Sequence, residues 1–174
     1  MSIAFTWGTT AAERALPYPC DGFVSRIDAA LWRGVTLQAE PAMVFRWLCQ
    51  LRVAPYSYDW IDNFGRQSPR TLTPGLERLA VGQPVMRIFD LVAFEAGRHL
   101  TLRSRGFLPG LFPSGACSYV VRPAGPGETR LLVKLAFQVR PGPLGALATQ
   151  LLAWGDLVMM RKQLLNLRNL AEGR

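Results

Sequence analysis

Two aspartates inside an aromatic segment are the strongest catalytic candidates in the sequence. In PYSYDWIDNFGR, residues 55–66, Asp59 and Asp62 are three positions apart. On a helix this spacing places the two Cβ atoms about 5–6 Å apart, so each carboxylate can shift the pKa of the other. With Tyr58 beside it, such a pair could supply the general acid and base of a cyclase or dehydratase reaction.

The same segment can instead be a short amphipathic helix that closes the rim of a cavity. Ser57 is then the N-cap, Asp59 lies in the first turn, where a carboxylate favours the helix dipole, and Gly65 ends the helix. The two carboxylates face water, and three aromatic residues at intervals of four pack down on the domain: Tyr56, Trp60 and Phe64. We expect this second arrangement, because aspartate in a short helix usually serves capping and solubility.

Other side chains that could carry nucleophilic or metal chemistry are few. His99 is the only histidine, and it begins a strand beside a turn, on the face opposite Leu100. A Cys-His site would require folding to bring Cys49 or Cys117 to it. These cysteines and Cys20 are far apart and show no C-x-x-C spacing, so we expect buried, reduced thiols in a cytoplasmic protein. We therefore predict no catalytic residue, no metal and no cofactor.

Composition and charge argue against several functional classes. The chain has 174 residues, of which 49% are hydrophobic, and this suits one globular domain with a sizeable core. The formal net charge is +8, yet no long basic run or nucleic-acid motif occurs, so we expect no nucleic-acid partner. The most apolar stretch, residues 143–160, is interrupted by Gln150 and Asp156, which disfavours a membrane span. The N-terminus lacks the pattern of a signal peptide.

The elements that position these side chains follow an α+β order. Residues 1–23, rich in Pro, Gly and Thr, are predicted to form an irregular arm that lies over the rest, and residues 24–174 one domain. In this domain a strand that ends near Leu37 leads into a helix that begins at Pro41. Residues 67–84 are predicted to be a surface connection.

Residues 85–141 are predicted to form two antiparallel hairpins, and residues 143–172 a helix whose apolar stripe lies on the sheet. Strict alternation in the last strand predicts one apolar sheet face and one basic face exposed to water. The rim residues Tyr58 and Trp60 and ten side chains of the sheet face and helix stripe are predicted to bind a ligand in a cavity, although the same residues could form a plain core. The ten are Leu100, Leu102, Tyr119, Leu131, Val133, Leu135, Phe137, Leu157, Met160 and Leu164.

Five segments resemble, in order, the START-like superfamily, also called SRPBCC, which includes polyketide cyclase/dehydrase and lipid-transport proteins. They are VTLQAEPAMVFRWL, YSYDWID, LAVGQPV, ETRLLVKLAF and GDLVMMRKQLLNLRNLAE, and the resemblance covers residues 24–172. It implies a helix-grip fold, in which a curved antiparallel sheet wraps around a long C-terminal helix with a cavity between them. Gln83 departs from the pattern, since such proteins often have Asp after Val-Gly.

We expect a non-enzymatic protein that binds an apolar small molecule such as a lipid or a polyketide-like compound. One alternative is a cyclase or dehydratase with Asp59, Asp62, Tyr58 or Tyr119 as acid and base, and the other is a protein-interaction module that uses the water-exposed sheet face. The loop RSRGFLPGLFPSGA, residues 103–116, carries four large apolar side chains on a connection. It could fold back onto the domain around Trp7 or form a homodimer contact. Our hypothesis is that its residues 106–114 are a ligand portal that docks transiently on anionic lipid.

Overall fold

A curved antiparallel sheet forms the centre of the computed structural model, which describes residues 2–63, 65–105 and 115–174. Its strands are β1 Ala29–Leu37, β2 Pro84–Val85, β3 Phe89–Glu95, β4 His99–Ser104, β5 Gly115–Gly125 and β6 Glu128–Phe137. In the described part of the chain the sheet has six strands in the order β1-β6-β5-β4-β3-β2, and all neighbours are antiparallel. The two predicted hairpins, β3–β4 and β5–β6, are confirmed.

Five helices and two 3-10 turns complete the described structure. The helices are α1 Ile3–Thr6, α2 Ala11–Arg14, α3 Pro41–Cys49, α4 Asp59–Asp62 and α5 Pro143–Ala171, and the 3-10 turns are Pro19–Phe23 and Gln50–Arg52. Both α3 and α5 begin at a proline, whose fixed φ suits the first helical position. Leu48 of α3 and Leu164 of α5 join the main apolar cluster on one face of the sheet. This arrangement confirms the predicted α+β class and helix-grip architecture.

Strand β6 shows how the sequence determines the two faces of the sheet. Leu131 and Val133 point to the side of α5 and are buried in the main cluster. Leu132 and Ala136 point to the opposite side, since side chains alternate along a strand, and they are buried in a second cluster. We call the space between the first face and α5 the interior, and the second face the outer face.

The N-terminal arm covers the outer face beside β6. Glu13 pairs with Arg130 at 2.7 Å, and Asp21 pairs with Lys134 at 2.7 Å. Lys134 is buried as a result. The prediction of a basic outer face exposed to water is therefore wrong here, because the arm supplies carboxylates to neutralise it. The arm is also not irregular, since it contains α1, α2 and a 3-10 turn.

The start of the arm packs against the edge strand β1 and against α5. Ala4 of α1 is buried in a cluster with Ala153 of α5. The backbone N–H of Gly34 donates to the carbonyl of Trp7 at 3.1 Å, and Trp7 packs against the main cluster. Gly8 follows at φ +74, and a Cβ added there would lie 2.1 Å from the carbonyl oxygen of Gly34. The expectation that Trp7 lies over the domain is confirmed.

The predicted amphipathic helix of the aromatic segment is a single turn, α4. Its N-cap is Tyr58, so the predicted capping role of Ser57 is wrong; the Ser57 hydroxyl donates to the carbonyl of Met159 in α5. Tyr56 is buried as expected, but at φ 55 it lies outside any helix. Trp60 is 75% exposed, so the prediction that it packs down is wrong. One turn is too short to place residues four apart on a common face.

Some predictions concern parts of the chain that the structure does not describe. Residues 106–114, Phe64 and the side chain of Asp62 lie outside the described residues. The portal and its membrane contact therefore stay predictions. Among the helices of the described ranges, none combines the length and the apolar character that crossing a bilayer requires.

Candidate functional site

A hydrogen-bonded polar pair lies inside the apolar interior between the sheet and α5. The Tyr119 hydroxyl on β5 donates to Gln163 Oε1 on α5 at 2.7 Å, and the two residues are 1% and 3% exposed. Leu100 and Val133 are the cross-strand neighbours of Tyr119, and both are buried in the main cluster. Burial raises the pKa of Tyr119 well above its ordinary value, so the hydroxyl remains a hydrogen-bond donor.

Gln163 also fixes a chain segment that has no regular secondary structure. Its Nε2 donates to the carbonyl of Pro55 at 2.6 Å and lies 3.3 Å from Sδ of Met86. One turn further along α5, Asn166 donates to the carbonyl of Tyr56 at 2.9 Å. Buried backbone groups require hydrogen-bond partners, and polar side chains of α5 supply them here.

Two residues of this region adopt a backbone conformation that is unfavourable for their type. Tyr56 and Met86 have φ values of 55 and 47, and the left-handed region costs a non-glycine residue about 1–2 kcal/mol. Conformations of this kind are concentrated at binding and catalytic sites. Met86 contacts Gln163, and Tyr56 directly follows Pro55, whose carbonyl accepts from Gln163, so both unfavourable residues lie near the polar pair.

The hydroxyl of Tyr56 has no hydrogen-bond partner among the described residues. The side chain is 2% exposed and packs edge-on against Trp47, with ring centroids 6.0 Å apart. Burial raises the pKa of Tyr56 to about 12, so its hydroxyl keeps its proton. A buried polar group without a partner costs about 1–3 kcal/mol, and a bound molecule with an acceptor atom could recover that cost.

Flexible apolar side chains border the polar pair. Met160 Sδ lies 3.7 Å from the Tyr119 hydroxyl, and Met86 Sδ contacts Gln163. Both methionines, and Leu135 on β6, pack against the main cluster while only partly buried. Because an unbranched thioether fits irregular shapes, this part of the interior can adjust to an apolar guest.

The structure brings most of the predicted ligand-binding residues together. Those buried in the main cluster are Leu100, Leu102, Tyr119, Leu131, Val133 and Leu164. Leu135 and Met160 join the same cluster while partly buried, whereas Phe137 is buried in the cluster of α1. Leu157 is buried as well, but Tyr58 is only half-buried and Trp60 is exposed. Contact with a ligand stays a prediction for all twelve.

A buried ion pair lies farther along the same interior. Arg33 Nη2 of β1 donates to Asp156 Oδ2 of α5 at 2.6 Å, and the Arg33 side chain is 1% exposed. The guanidinium also donates to the carbonyls of Ala4 and Ala153, so it joins β1, α1 and α5. Burial raises the pKa of Asp156 to about 6, although Arg33 opposes the shift. Arg33 faces Val133 across β1 and β6, in the same cross-strand row as Tyr119.

Arg33 and Gln163 were not among the functional residues predicted from the sequence, and Asp156 was considered only as evidence against a membrane span. The signal was present, since Arg33 interrupts the apolar alternation of β1 between Leu31 and Val35. Asp156 and Gln163 likewise interrupt the inward stripe of α5. Buried charges are nearly always paired, so opposite charges that interrupt two facing apolar patterns indicate an interior pair.

Of the two carboxylates in the acid–base alternative, the structure describes only the side chain of Asp59. Asp59 accepts hydrogen bonds from the Ser68 hydroxyl at 2.5 Å and from the Ser68 N–H at 2.9 Å. Its carboxylate therefore anchors the following loop and is half-buried, so the prediction of a freely hydrated Asp59 is wrong. His99 is half-buried, and burial lowers its pKa.

The cysteine thiols are poor nucleophiles. All three are buried and unpaired, as expected. Burial raises the pKa of Cys20 to about 11 and that of Cys49 to about 12, and it raises the pKa of Cys117 well above its ordinary value. Because the thiolate is the reactive form, these thiols are chemically inert near neutral pH.

Comparisons with known proteins identify the fold. No family model matches the chain, and no curated protein matches it. A protein from Mesorhizobium loti solved by X-ray crystallography is 17% identical with a TM-score of 0.52, over 83% of this chain and 97% of that one. A protein from Arthrobacter aurescens solved by NMR is 12% identical with a TM-score of 0.55, over 87% and 93%. A Nitrosospira multiformis protein is 9% identical with a TM-score of 0.51, over 80% and 93%. At these identities the likeness establishes the shared fold alone.

Proposed function

We propose that the chain binds an apolar small molecule that carries a hydroxyl or carbonyl group, such as a lipid or a polyketide-like compound, in the interior between the sheet and α5. The observation that carries the proposal is the buried Tyr119–Gln163 pair, and the unpartnered hydroxyl of Tyr56 in the same apolar cluster supports it. Binding sites for small molecules are mostly apolar and use a few polar groups to orient the ligand.

Each polar group has a definite role in this proposal. Gln163 Oε1 accepts from Tyr119 and, with its second lone pair, from a ligand hydroxyl. The Tyr56 hydroxyl donates to a ligand oxygen. Met86 and Met160 pack on the apolar body of the ligand and adapt to its shape. A plain hydrocarbon should bind more weakly than an alcohol or ketone of similar size, because it would leave polar groups of the site unpaired.

The resemblance of residues 24–172 to the START-like superfamily supports the same function, since its members bind lipids, sterols and polyketides in this fold. We propose binding without a reaction, because Asp59 is occupied by Ser68 and the thiols stay protonated. Three reduced, buried thiols also suit the cytoplasm, which we propose as the location.

Methionine methyl NMR tests the proposal at the site itself. Protein labelled with [methyl-¹³C]methionine is titrated with oleic acid, cholesterol and naringenin, and Met86→Leu and Met160→Leu assign the two signals. We expect at least one compound to shift both signals in a saturable way. Tyr56→Phe removes the hydroxyl that donates to the ligand oxygen, and this loss of one hydrogen bond should weaken that binding about tenfold.

Thr101→Val is the matched control variant. Thr101 is fully buried, and its hydroxyl lies 2.9 Å from that of Ser118, but both face outward from the sheet. The variant therefore loses a buried hydroxyl without altering the interior, and ligand affinity should stay at the wild-type value. The proposal fails if no compound shifts the Met86 and Met160 signals, or if both variants weaken binding equally.

A further inference from the structure

The N-terminal half of α5 carries a row of exposed apolar side chains. Leu144 is 81% exposed and Trp154 is 51% exposed, and the other members are also more than half exposed. The members, which we call the α5 stripe, are Leu144, Leu147, Leu151, Trp154 and Val158. Their spacing of three and four residues places them on one helical face, over a length of about 21 Å. Monomeric proteins rarely expose a contiguous apolar surface of this kind without a binding role.

Close packing on the opposite face keeps the α5 stripe turned outward. A Cβ added to Gly145 would lie 1.8 Å from the carbonyl oxygen of Arg140, and Ala153 is fully buried in the cluster of α1. Arg33 binds Asp156 on the same helical turn as Ala153. Rotation of the helix to bury the stripe would break these contacts, so the exposure is part of the fold.

Positive charge bounds the α5 stripe at both ends. Arg161 and Lys162 follow Val158 by three and four residues and are exposed, and exposed Arg140 precedes the helix. Asp156 is the only acidic residue of α5, and it pairs with Arg33. Helix α5 therefore presents an apolar centre and basic ends without a free carboxylate of its own, on a chain of net charge +8.

This charge pattern disfavours a second copy of the chain as the occupant. An antiparallel pair of stripes centred on Leu151 would place Lys162 of one copy opposite Arg140 of the other. A parallel pair would place the two Arg161 side chains together. Like charges at an interface repel and select against the pairing, whereas the same charges attract an anionic surface.

We propose that the α5 stripe docks on an anionic lipid bilayer, with the helix lying in the plane of the membrane. Its apolar side chains insert among the acyl chains, and Arg140, Arg161 and Lys162 contact lipid phosphates. Trp154 suits the level of the headgroups, where indole rings accumulate. The docking surface is distinct from residues 106–114 and does not depend on a bound ligand in the interior.

Vesicle co-sedimentation tests the docking with the full chain. The vesicles contain phosphatidylglycerol and phosphatidylcholine in equal parts, or phosphatidylcholine alone. The stripe variant is Leu147→Ser with Leu151→Ser, the charge variant is Arg161→Gln with Lys162→Gln, and the control is Val53→Ser with Val81→Ser. The control removes two exposed apolar side chains outside α5. All substituted positions are exposed, so circular dichroism should show unchanged folding.

We expect wild type and control to bind the anionic vesicles equally, and both test variants to bind at least tenfold more weakly. Brominated lipids should quench wild-type fluorescence more than that of Trp154→Phe, which places the Trp154 ring in the bilayer. Equal binding by wild type and the stripe variant would mean adhesion by net charge alone, and it overturns the proposal. Absence of wild-type binding to anionic vesicles also overturns the proposal. If ultracentrifugation then finds a wild-type dimer and a monomeric stripe variant, the stripe is instead a contact between two copies of the chain.

Discussion

Replacing either Arg33 or Asp156 in the buried ion pair should change the free energy of unfolding, and the two changes should depend on pH in different ways. We consider Arg33→Met and Asp156→Leu, each of which removes one charge of the buried pair. An arginine side chain keeps its charge at every accessible pH, whereas a buried carboxyl can take up a proton. Asp156→Leu therefore leaves a permanent unpaired charge in the interior, whereas Arg33→Met leaves a carboxyl that can become neutral. The pH dependence of the free energy of unfolding distinguishes the two variants.

The wild-type protein provides the reference. The pKa of Asp156 is about 6 in the folded protein, against 3.8 as its ordinary value. The folded state thus binds a proton that the unfolded chain does not bind between these values. The stabilising contribution of this bound proton is complete below the pKa of the unfolded chain and is lost as pH rises through the pKa of the folded protein. Between pH 7 and pH 5 the wild type should gain about 1 kcal/mol of unfolding free energy from this group.

The variants should depart from that reference in opposite ways. Asp156→Leu leaves an unpaired buried guanidinium, which costs about 3–5 kcal/mol at either pH, and the proton-linked gain disappears. Arg33→Met removes the group that lowers the Asp156 pKa, so the carboxyl stays protonated in the folded state. It should gain up to about 3 kcal/mol between pH 7 and pH 5, because a group that is protonated only in the folded state contributes roughly 1 kcal/mol or slightly more per pH unit.

Urea unfolding at pH 7 and pH 5, followed by circular dichroism, measures these differences. Other groups titrate alike in all three proteins, so the comparison between variants isolates Asp156. The cost of Arg33→Met relative to wild type should shrink by about 1–2 kcal/mol at pH 5, and that of Asp156→Leu should grow by about 1 kcal/mol. Equal pH responses in both variants would refute the assignment of a raised Asp156 pKa and of a buried pair.

Three further outcomes follow from the packing. Gly8→Ala should lower the free energy of unfolding by about 1–3 kcal/mol, measured in urea, because its Cβ would clash with Gly34; an unchanged value would contradict the close approach of the arm to β1. The hydrogen bond from Arg130 lowers the pKa of Glu13 to about 2 from 4.5, although burial opposes the shift, so the contribution of Glu13 is present above pH 4.5 and is lost as pH falls toward 2. Glu13→Gln should remove about 1–2 kcal/mol at pH 7 and progressively less in acid, and a constant loss would count against the ion pair. Trp60→Ser should change stability by less than about 0.5 kcal/mol, and a loss of several times that would show that the ring packs on the protein.

Elements with long, regular patterns could be predicted from the sequence. In β6, Leu131, Val133 and Leu135 occupy alternate positions and face α5 as expected. The buried apolar face of α5, which includes Leu164 and Leu167, also lies where the helical period places it. These patterns persist over several turns or strand residues, so tertiary packing reinforces the local preference rather than overriding it.

Contacts between distant segments could not be predicted in this way. Nothing in the alternation of β6 indicates that Asp21 of the arm neutralises Lys134, because such a pair depends on where a separate segment lies. The aromatic segment fails for another reason: Tyr56 takes a left-handed φ, held by Asn166 and Trp47 from other helices. Helical spacing has no meaning for a residue outside the helix. Only one member of the Tyr119–Gln163 pair was predicted from the sequence, because the tyrosine but not the glutamine was expected in the interior.

Native mass spectrometry of the purified protein, followed by organic extraction, tests most directly whether the interior binds an apolar molecule. We predict a population heavier than the bare chain by the mass of one small molecule, and recovery of that molecule in the organic phase as a compound with a hydroxyl or carbonyl group. Gln163→Leu should reduce the heavier population, and Thr101→Val should preserve it. A bare chain mass in every preparation, also after incubation with oleic acid, cholesterol and naringenin, would contradict the proposed binding.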